Sequence, residues 1–285
     1  MAFLFTNHKS LITSHFTLYP KMKIVPYKDQ YDPTLLQPVP RAPYRRVIGI
    51  EGALPFTGAD LWTAYELSWL DPKGKPRVAM ATFVVPVDSP NLIESKSFKL
   101  YLNSFNQTPV ESLEALRDIL NKDIGSACGA PVGVEILPPG DFPDAQIEEM
   151  DGEVIDETDV EIRDYRPNPG YLSTGHSPAE ETLVSNLLKT NCPLTGQPDW
   201  AGIQIRYSGP RIDRAGLLRY IVSLRRHGGF HEHCVESIFM DILNRCRPDR
   251  LTVYARYTRR GGLDINPFRT NCGEKLPRNV RTARQ

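Results

Sequence analysis

The chain reads as an α+β protein made of two tandem modules, each an antiparallel sheet with helices packed on one face. Three observations lead there. Two alternating apolar runs, 60–69 and 77–86, flank the turn signal Asp71-Pro72-Lys73-Gly74 and predict a hairpin. Segments of helical spacing then precede short β-rich runs in both halves. A weak internal repeat links the halves. Val110-Glu111-Ser112 with Asp118-Ile119-Leu120-Asn121 resembles Val235-Glu236-Ser237 with Asp241-Ile242-Leu243-Asn244, and 99–104 resembles 218–223.

The elements follow in order. Residues 1–44 carry Pro33, Pro38, Pro40 and Pro43 and are expected to form an irregular N-terminal arm, with regular structure from about Arg45. The first module, 45–140, holds the hairpin, a helix over 110–122 with Leu113, Leu116, Ile119 and Leu120 at helical spacing, and a strand from Pro131 to Leu137. Between Asp141 and Asp164 eleven acidic residues accompany one basic residue, Arg163, so 141–176 reads as a solvated acidic linker. The second module, 177–285, opens on Ser177-Pro178-Ala179-Glu180, a capping box with proline at the first helical position. That signature predicts a helix to about Lys189, leaving Cys192 just past its end. A strand follows from Trp200 to Tyr207, with Ile203 and Ile205 on one face and Gln204 and Arg206 on the other. Helices near 214–226 and 232–245 and a strand from Leu251 to Tyr257 complete the module. Its second helix is preceded by an insertion holding Phe230-His231-Glu232.

With 285 residues, 40% of them hydrophobic, the chain is long enough for a sizeable core. No apolar run approaches the ~20 residues of a membrane helix. Met1-Ala2-Phe3-Leu4-Phe5 lacks the basic flank of a secretory signal, so the cytoplasm is expected. The five cysteines are odd in number and form no CxxC pair, which argues against a disulfide framework and a zinc ribbon. Formal charge is zero but uneven: residues 201–285 hold seventeen Lys/Arg against seven Asp/Glu. That half suits a polyanionic ligand, and on charge alone a phosphorylated cofactor and tRNA both qualify. Recognisable RNA motifs and interleaved aromatics are missing, so no direct nucleic-acid partner is expected.

The densest chemistry lies in Asn191-Cys192-Pro193-Leu194-Thr195-Gly196-Gln197-Pro198-Asp199-Trp200. A thiol and a carboxyl held by one turn can act as nucleophile and proton donor. Asp199 would need partial burial, which Trp200 beside it could provide, and the thiol would need a nearby cation or histidine, with His231 the obvious choice. His231-Glu232-His233 lacks HExxH spacing, and histidines two apart diverge at a helix start, so no metal site is assigned. Glu232 or Glu94 can instead accept two N–H bonds from an amidine-like edge, as in guanine or pterin. Arg259-Arg260-Gly261-Gly262 pairs guanidinium forks with flexible backbone, a combination suited to phosphate, whereas no GxGxxG or P-loop spacing occurs.

Glu94-Ser95-Lys96-Ser97-Phe98-Lys99-Leu100-Tyr101, Asn191-Cys192 with Gln197-Pro198-Asp199-Trp200, and Phe230-His231-Glu232 before Cys234-Val235-Glu236 together resemble the NADPH-dependent 7-cyano-7-deazaguanine reductase family in its two-module form. Asp264-Ile265-Asn266-Pro267 also fits, and the resemblance runs from about Tyr31 to Arg269. It implies tandem tunnelling-fold (T-fold) modules. It also implies reduction of the nitrile of 7-cyano-7-deazaguanine to a primary amine, in queuosine biosynthesis, with two NADPH consumed per turnover and a covalent thioimide on Cys192. Asp199 is then the proton donor. Ile93, Glu94, Ser95, Phe230, His231 and Glu232 surround the deazaguanine, and Ser95, Lys96, Arg260 and Gly261 contact NADPH. A homodimer is implied as well. The rival reading is a zinc-dependent pterin or GTP cyclohydrolase-like hydrolase using Cys192 and the histidines as ligands.

Overall fold

The computed structural model describes residues 27–285, so most of the expected arm, 1–26, lies outside the described residues. Ten strands and five α-helices follow in the order β1 (Pro38–Pro40), α1 (Ala42–Val47), β2 (Thr57–Leu70), β3 (Pro76–Pro86), β4 (Asn91–Ile93), α2 (Ser95–Asn103), α3 (Leu113–Cys128), β5 (Gly133–Leu137), β6 (Glu153–Val154), β7 (Thr174–Asn191), β8 (Pro198–Ile212), α4 (Arg214–Ser223), α5 (His231–Cys246), β9 (Arg250–Tyr257) and β10 (Leu263–Thr270). A single eight-stranded sheet, ordered β5-β3-β2-β10-β9-β8-β7-β6, runs through both halves. All its pairings are antiparallel except β6 with β7. The fold is thus mixed α+β, and the halves join where β10 lies between β2 and β9.

The predicted hairpin forms with the expected turn, but the helix expected over 177–189 is instead the long strand β7, paired with β8. Cys192 therefore follows a strand, in a hairpin turn. The physical reason is a β-bulge. Between Ser185 and Leu188 the register slips by one residue against Ile203 and Ala201, so Leu183 and Leu188 both reach the core. An odd spacing of five breaks the period-2 signal and mimics a helical one. Asp156 holds the bulge, accepting from Ser185 Oγ at 2.6 Å and Asn186 N at 2.9 Å.

The same device recurs in β2, where Ala64 and Leu67 face Ala81 and Ala79. The repeat extends to the helices. Tyr101 of α2 donates to Asp123 of α3 at 2.8 Å, and Tyr220 of α4 donates to Asp241 of α5 at 2.6 Å. Ser104 and Ser223 each turn their hydroxyl onto the preceding tyrosine carbonyl. Asp241 therefore matches Asp123, not the Asp118 that sequence similarity suggested.

Strand β10 was not foreseen, because Asn266-Pro267 argues against a central strand. Its ladder with β9 covers only Phe268 to Thr270, and beyond it the Asn266 side chain accepts the Tyr257 N–H at 3.1 Å. The proline's missing donor is thus not needed. Helices α2 and α3 pack on Trp62, Leu67, Phe83 and Ile265, with Phe98 edge-on to Trp62 and Phe83. Helices α4 and α5 pack on Leu183, Ile203, Ile205 and Val253.

Regular structure begins before Arg45. A 3-10 turn at Pro33–Leu35 sends Leu35 and Leu36 into the first core, and β1 pairs with β4. The acidic segment is not wholly solvated either: Ile155 and Leu172 are buried and β6 extends the sheet.

Candidate functional site

Three chain segments converge on one cleft. Strand β4 and the start of α2 bring Ile93 and Ser95, the β7–β8 hairpin brings Cys192, Pro193 and Asp199, and the start of α5 brings Phe230, His231 and Glu232. Gly229, Arg260 and Ile265 complete the lining. Asn191 ties the hairpin to the segment before α5, with its N–H on His227 O at 2.8 Å and its carbonyl accepting from Gly229 N at 3.1 Å.

The hairpin closes with Cys192 N on Gln197 O and Gly196 N on Cys192 O. Burial works to raise the thiol. Hydrogen bonds from the Thr195 hydroxyl, the Leu194 and Thr195 backbone N–H groups and Arg260 outweigh it and hold the group below its ordinary range. These donors stabilise thiolate over thiol. His231, the expected activator, faces Asp199 instead, with Nε2 3.4 Å from Oδ2. Its ring stacks on Tyr257 at 3.7 Å. Arg260 Nη1 approaches the other Asp199 oxygen at 3.3 Å, so one cation serves both carboxylate and thiol. Asp199 is buried as anticipated, but Trp200 is not the cover. Strand alternation turns Trp200 outward, where Arg225 lies over its ring.

Glu232 is 1% exposed and its Oε1 has no hydrogen-bond partner. Burial, and after it the nearby Asp60, push its carboxyl up to about 8. A buried acceptor left open at a cleft can take N–H donors from a ligand. Glu94 has another task. Both its oxygens cap α2, accepting from Lys96 N at 2.9 Å and Ser97 N at 2.7 Å. Lys96 is exposed and, like Glu94 and Gly261, stands outside the cleft lining.

Two profiles cover most of the chain: one described as "Nitrile reductase, 7-cyano-7-deazaguanine-reductase N-term" matches residues 27–136, and one described as "QueF-like protein" matches 198–276. A protein of Burkholderia multivorans named NADPH-dependent 7-cyano-7-deazaguanine reductase is 59% identical over 93% of this chain and 98% of its own length. The chain belongs to the 7-cyano-7-deazaguanine reductase family. Equally named proteins of Burkholderia ambifaria and Burkholderia vietnamiensis are 59% and 58% identical over the same shares.

Within this reductase fold, sequence reasoning missed Lys99 and the proximity of Arg260 to the thiol. Lys99 lies against Gly261, which adopts φ +63° in the β9–β10 turn. Burial first, then the Arg260 charge, lower Lys99 from its ordinary value. Two cations that repel each other beside a glycine turn form a donor set suited to a phosphorylated cofactor such as NADPH. The signal was the helical spacing of Lys96 and Lys99 in the motif itself. Among the described residues no three His, Cys, Asp or Glu side chains come together as metal donors, and no helix is long and apolar enough to cross a membrane.

Proposed function

We propose that this chain reduces the nitrile of 7-cyano-7-deazaguanine to the primary amine 7-aminomethyl-7-deazaguanine, using NADPH, in queuosine biosynthesis. The observation that carries the reading is the sharing of one cleft by an activated thiol, Cys192, and an open buried carboxyl, Glu232. Glu232 accepts the N–H edge of the base. This anchors the ring so that the nitrile reaches Cys192. A nitrile is a poor hydride acceptor, and addition of the Cys192 thiolate converts it to a C=N bond. Asp199, held between His231 and Arg260, carries the proton lost by the Cys192 thiol to the nitrile nitrogen. Ser95, Lys96, Arg260 and Gly261, with Lys99, hold NADPH, which when bound supplies hydride for the thioimide and then for the imine. Cys192 leaves as the thiol between the two reductions. Phe230, packed on Val39 and Leu92, walls the cleft and keeps the imine from water. Glu94 shapes the site by capping α2, and Ile93 and Ser95 border the base.

The repeated bulges and Tyr–Asp pairs support tandem T-fold modules. A homodimer acting in the cytoplasm on a small molecule accompanies this reading. Its test is product stoichiometry: two NADPH oxidised for each amine formed. Amine release without NADPH oxidation, or a hydrolysed nitrile as product, would overturn it.

A further inference from the structure

Within electrostatic reach of Glu232 lies a buried charged cluster that the proposed reaction does not use directly. Arg41 is 1% exposed, donates from Nη2 to Asp60 Oδ2 at 2.6 Å and from Nε to Ser89 Oγ at 3.2 Å, and its Nη1 makes no hydrogen bond but lies 3.9 Å from Glu236 Oε1. Arg45 forks onto both oxygens of Glu236 at 2.8 and 2.9 Å. Arg269 Nη2 lies 2.8 Å from Asp60 Oδ1 and 2.9 Å from Glu236 Oε1. Three guanidinium groups thus face two carboxylates, Asp60 and Glu236, and Glu232 is a third acidic group within electrostatic reach of Arg41 and Arg269. Arg41 and Glu232 interact electrostatically across it.

Geometry fastens this cluster to the cleft. Arg41 N donates to Pro90 O just before β4, and β4 supplies Ile93 to the lining. Tyr44 stacks on His233 at 3.9 Å, one residue from Glu232. The segment assigned from sequence to an irregular arm thus packs behind the site, with Val39 against Leu92 and the lining residue Phe230.

We propose that Arg41 is a positioning residue for the reaction: its guanidinium is the counter-charge against which Glu232 ionises when the N–H edge of the base enters. A neutral carboxyl carries one O–H donor and meets two N–H donors badly, whereas the carboxylate accepts both. Base binding therefore releases the Glu232 proton to solvent, and Arg41 makes that loss possible inside the protein. The groups that interact electrostatically with Glu232 from the surrounding elements are Arg41, Asp60 of β2, Arg269 of β10 and Cys128 at the end of α3, with Arg45 of α1 and His233 and Glu236 of α5 joined to the same cluster. Asp199, His231, Arg260 and Cys192 share the cleft lining with it. Burial holds His233 near 3 and Cys128 near 12, so both stay neutral at working pH. Glu232 is the member that changes charge.

The inference rests on the reading of Glu232 as the anchor of the base, and the test separates the two. The probe is 7-deazaguanine, which has the same N–H edge but no nitrile, titrated onto the whole chain without NADPH from pH 6 to 9.5. For the native chain, affinity rises with pH to a midpoint near 8, the value toward which Glu232 is pushed. Arg41→Met moves that midpoint to higher pH and weakens binding at pH 7 by about tenfold or more. Arg41→Lys keeps the charge and restores the native midpoint. Asp60→Asn moves it the opposite way, to lower pH, and decides the matter if Arg41→Met does not fold. Glu232→Gln binds weakly with no pH dependence. Native affinity in Glu232→Gln would remove the anchor reading itself. A weakened Glu232→Gln beside unmoved midpoints in Arg41→Met or Asp60→Asn would overturn only the role given to Arg41.

Discussion

Replacing Glu232 by glutamine should weaken recognition while relieving the fold, and the two effects have separate signatures. The unpaired Oε1 and its partner oxygen can each accept a charge-assisted bond worth about 1.5–3 kcal/mol. Glutamine keeps one neutral acceptor and turns an amide N–H toward a donor. A loss of about 3 kcal/mol follows, or roughly 100-fold in Kd for 7-deazaguanine by calorimetry. For stability the sign reverses. Burial, then Asp60, push the folded-state carboxyl from 4.5 to about 8. Between those values the folded chain holds a proton that the unfolded chain has released, so this group lowers stability as pH rises through the window. Glutamine has no such proton. The melting temperature of Glu232→Gln minus that of the native chain should therefore climb between pH 5 and pH 8.5, by about 2–4 °C for each kcal/mol relieved. A flat difference, or unchanged affinity for the base, would refute the reasoning.

Other outcomes follow from the same geometry. Arg260→Met removes a donor from the Cys192 thiol, so the midpoint of its alkylation by iodoacetamide should move to higher pH. An unmoved midpoint would mean that Thr195 and the hairpin amides suffice. Tyr101→Phe and Tyr220→Phe each delete one half-buried bond to an aspartate, at 2.8 and 2.6 Å. Both should lower unfolding free energy in urea by similar amounts, about 1–2 kcal/mol. A cost confined to one variant would break the equivalence of the two halves.

Much of the site was legible in the residues, less of the fold. Cys192, Asp199, Phe230, His231 and Glu232 meet in one cleft as their residue types suggested. The partner of the thiol was not legible, because closeness of Arg260 depends on a turn closing across β9 and β10 rather than on spacing. The Ser177 capping box misled because its flanking pattern belongs to a bulged strand, and a bulge erases the alternation by which strands are read. Arg41 escaped notice for a related reason. A charged residue among prolines reads as surface, and only the fold shows that Arg41, Arg45 and Arg269 are buried against Asp60 and Glu236.

The most direct test is the intact mass of the chain after mixing with 7-cyano-7-deazaguanine in the absence of NADPH. Addition of the thiol across the nitrile loses no atoms, so the account predicts a gain equal to the whole nitrile, absent in Cys192→Ala, which also oxidises no NADPH. A folded, reduced chain that gains no mass, or a Cys192→Ala chain that gains it undiminished, would contradict the assignment of Cys192 as nucleophile.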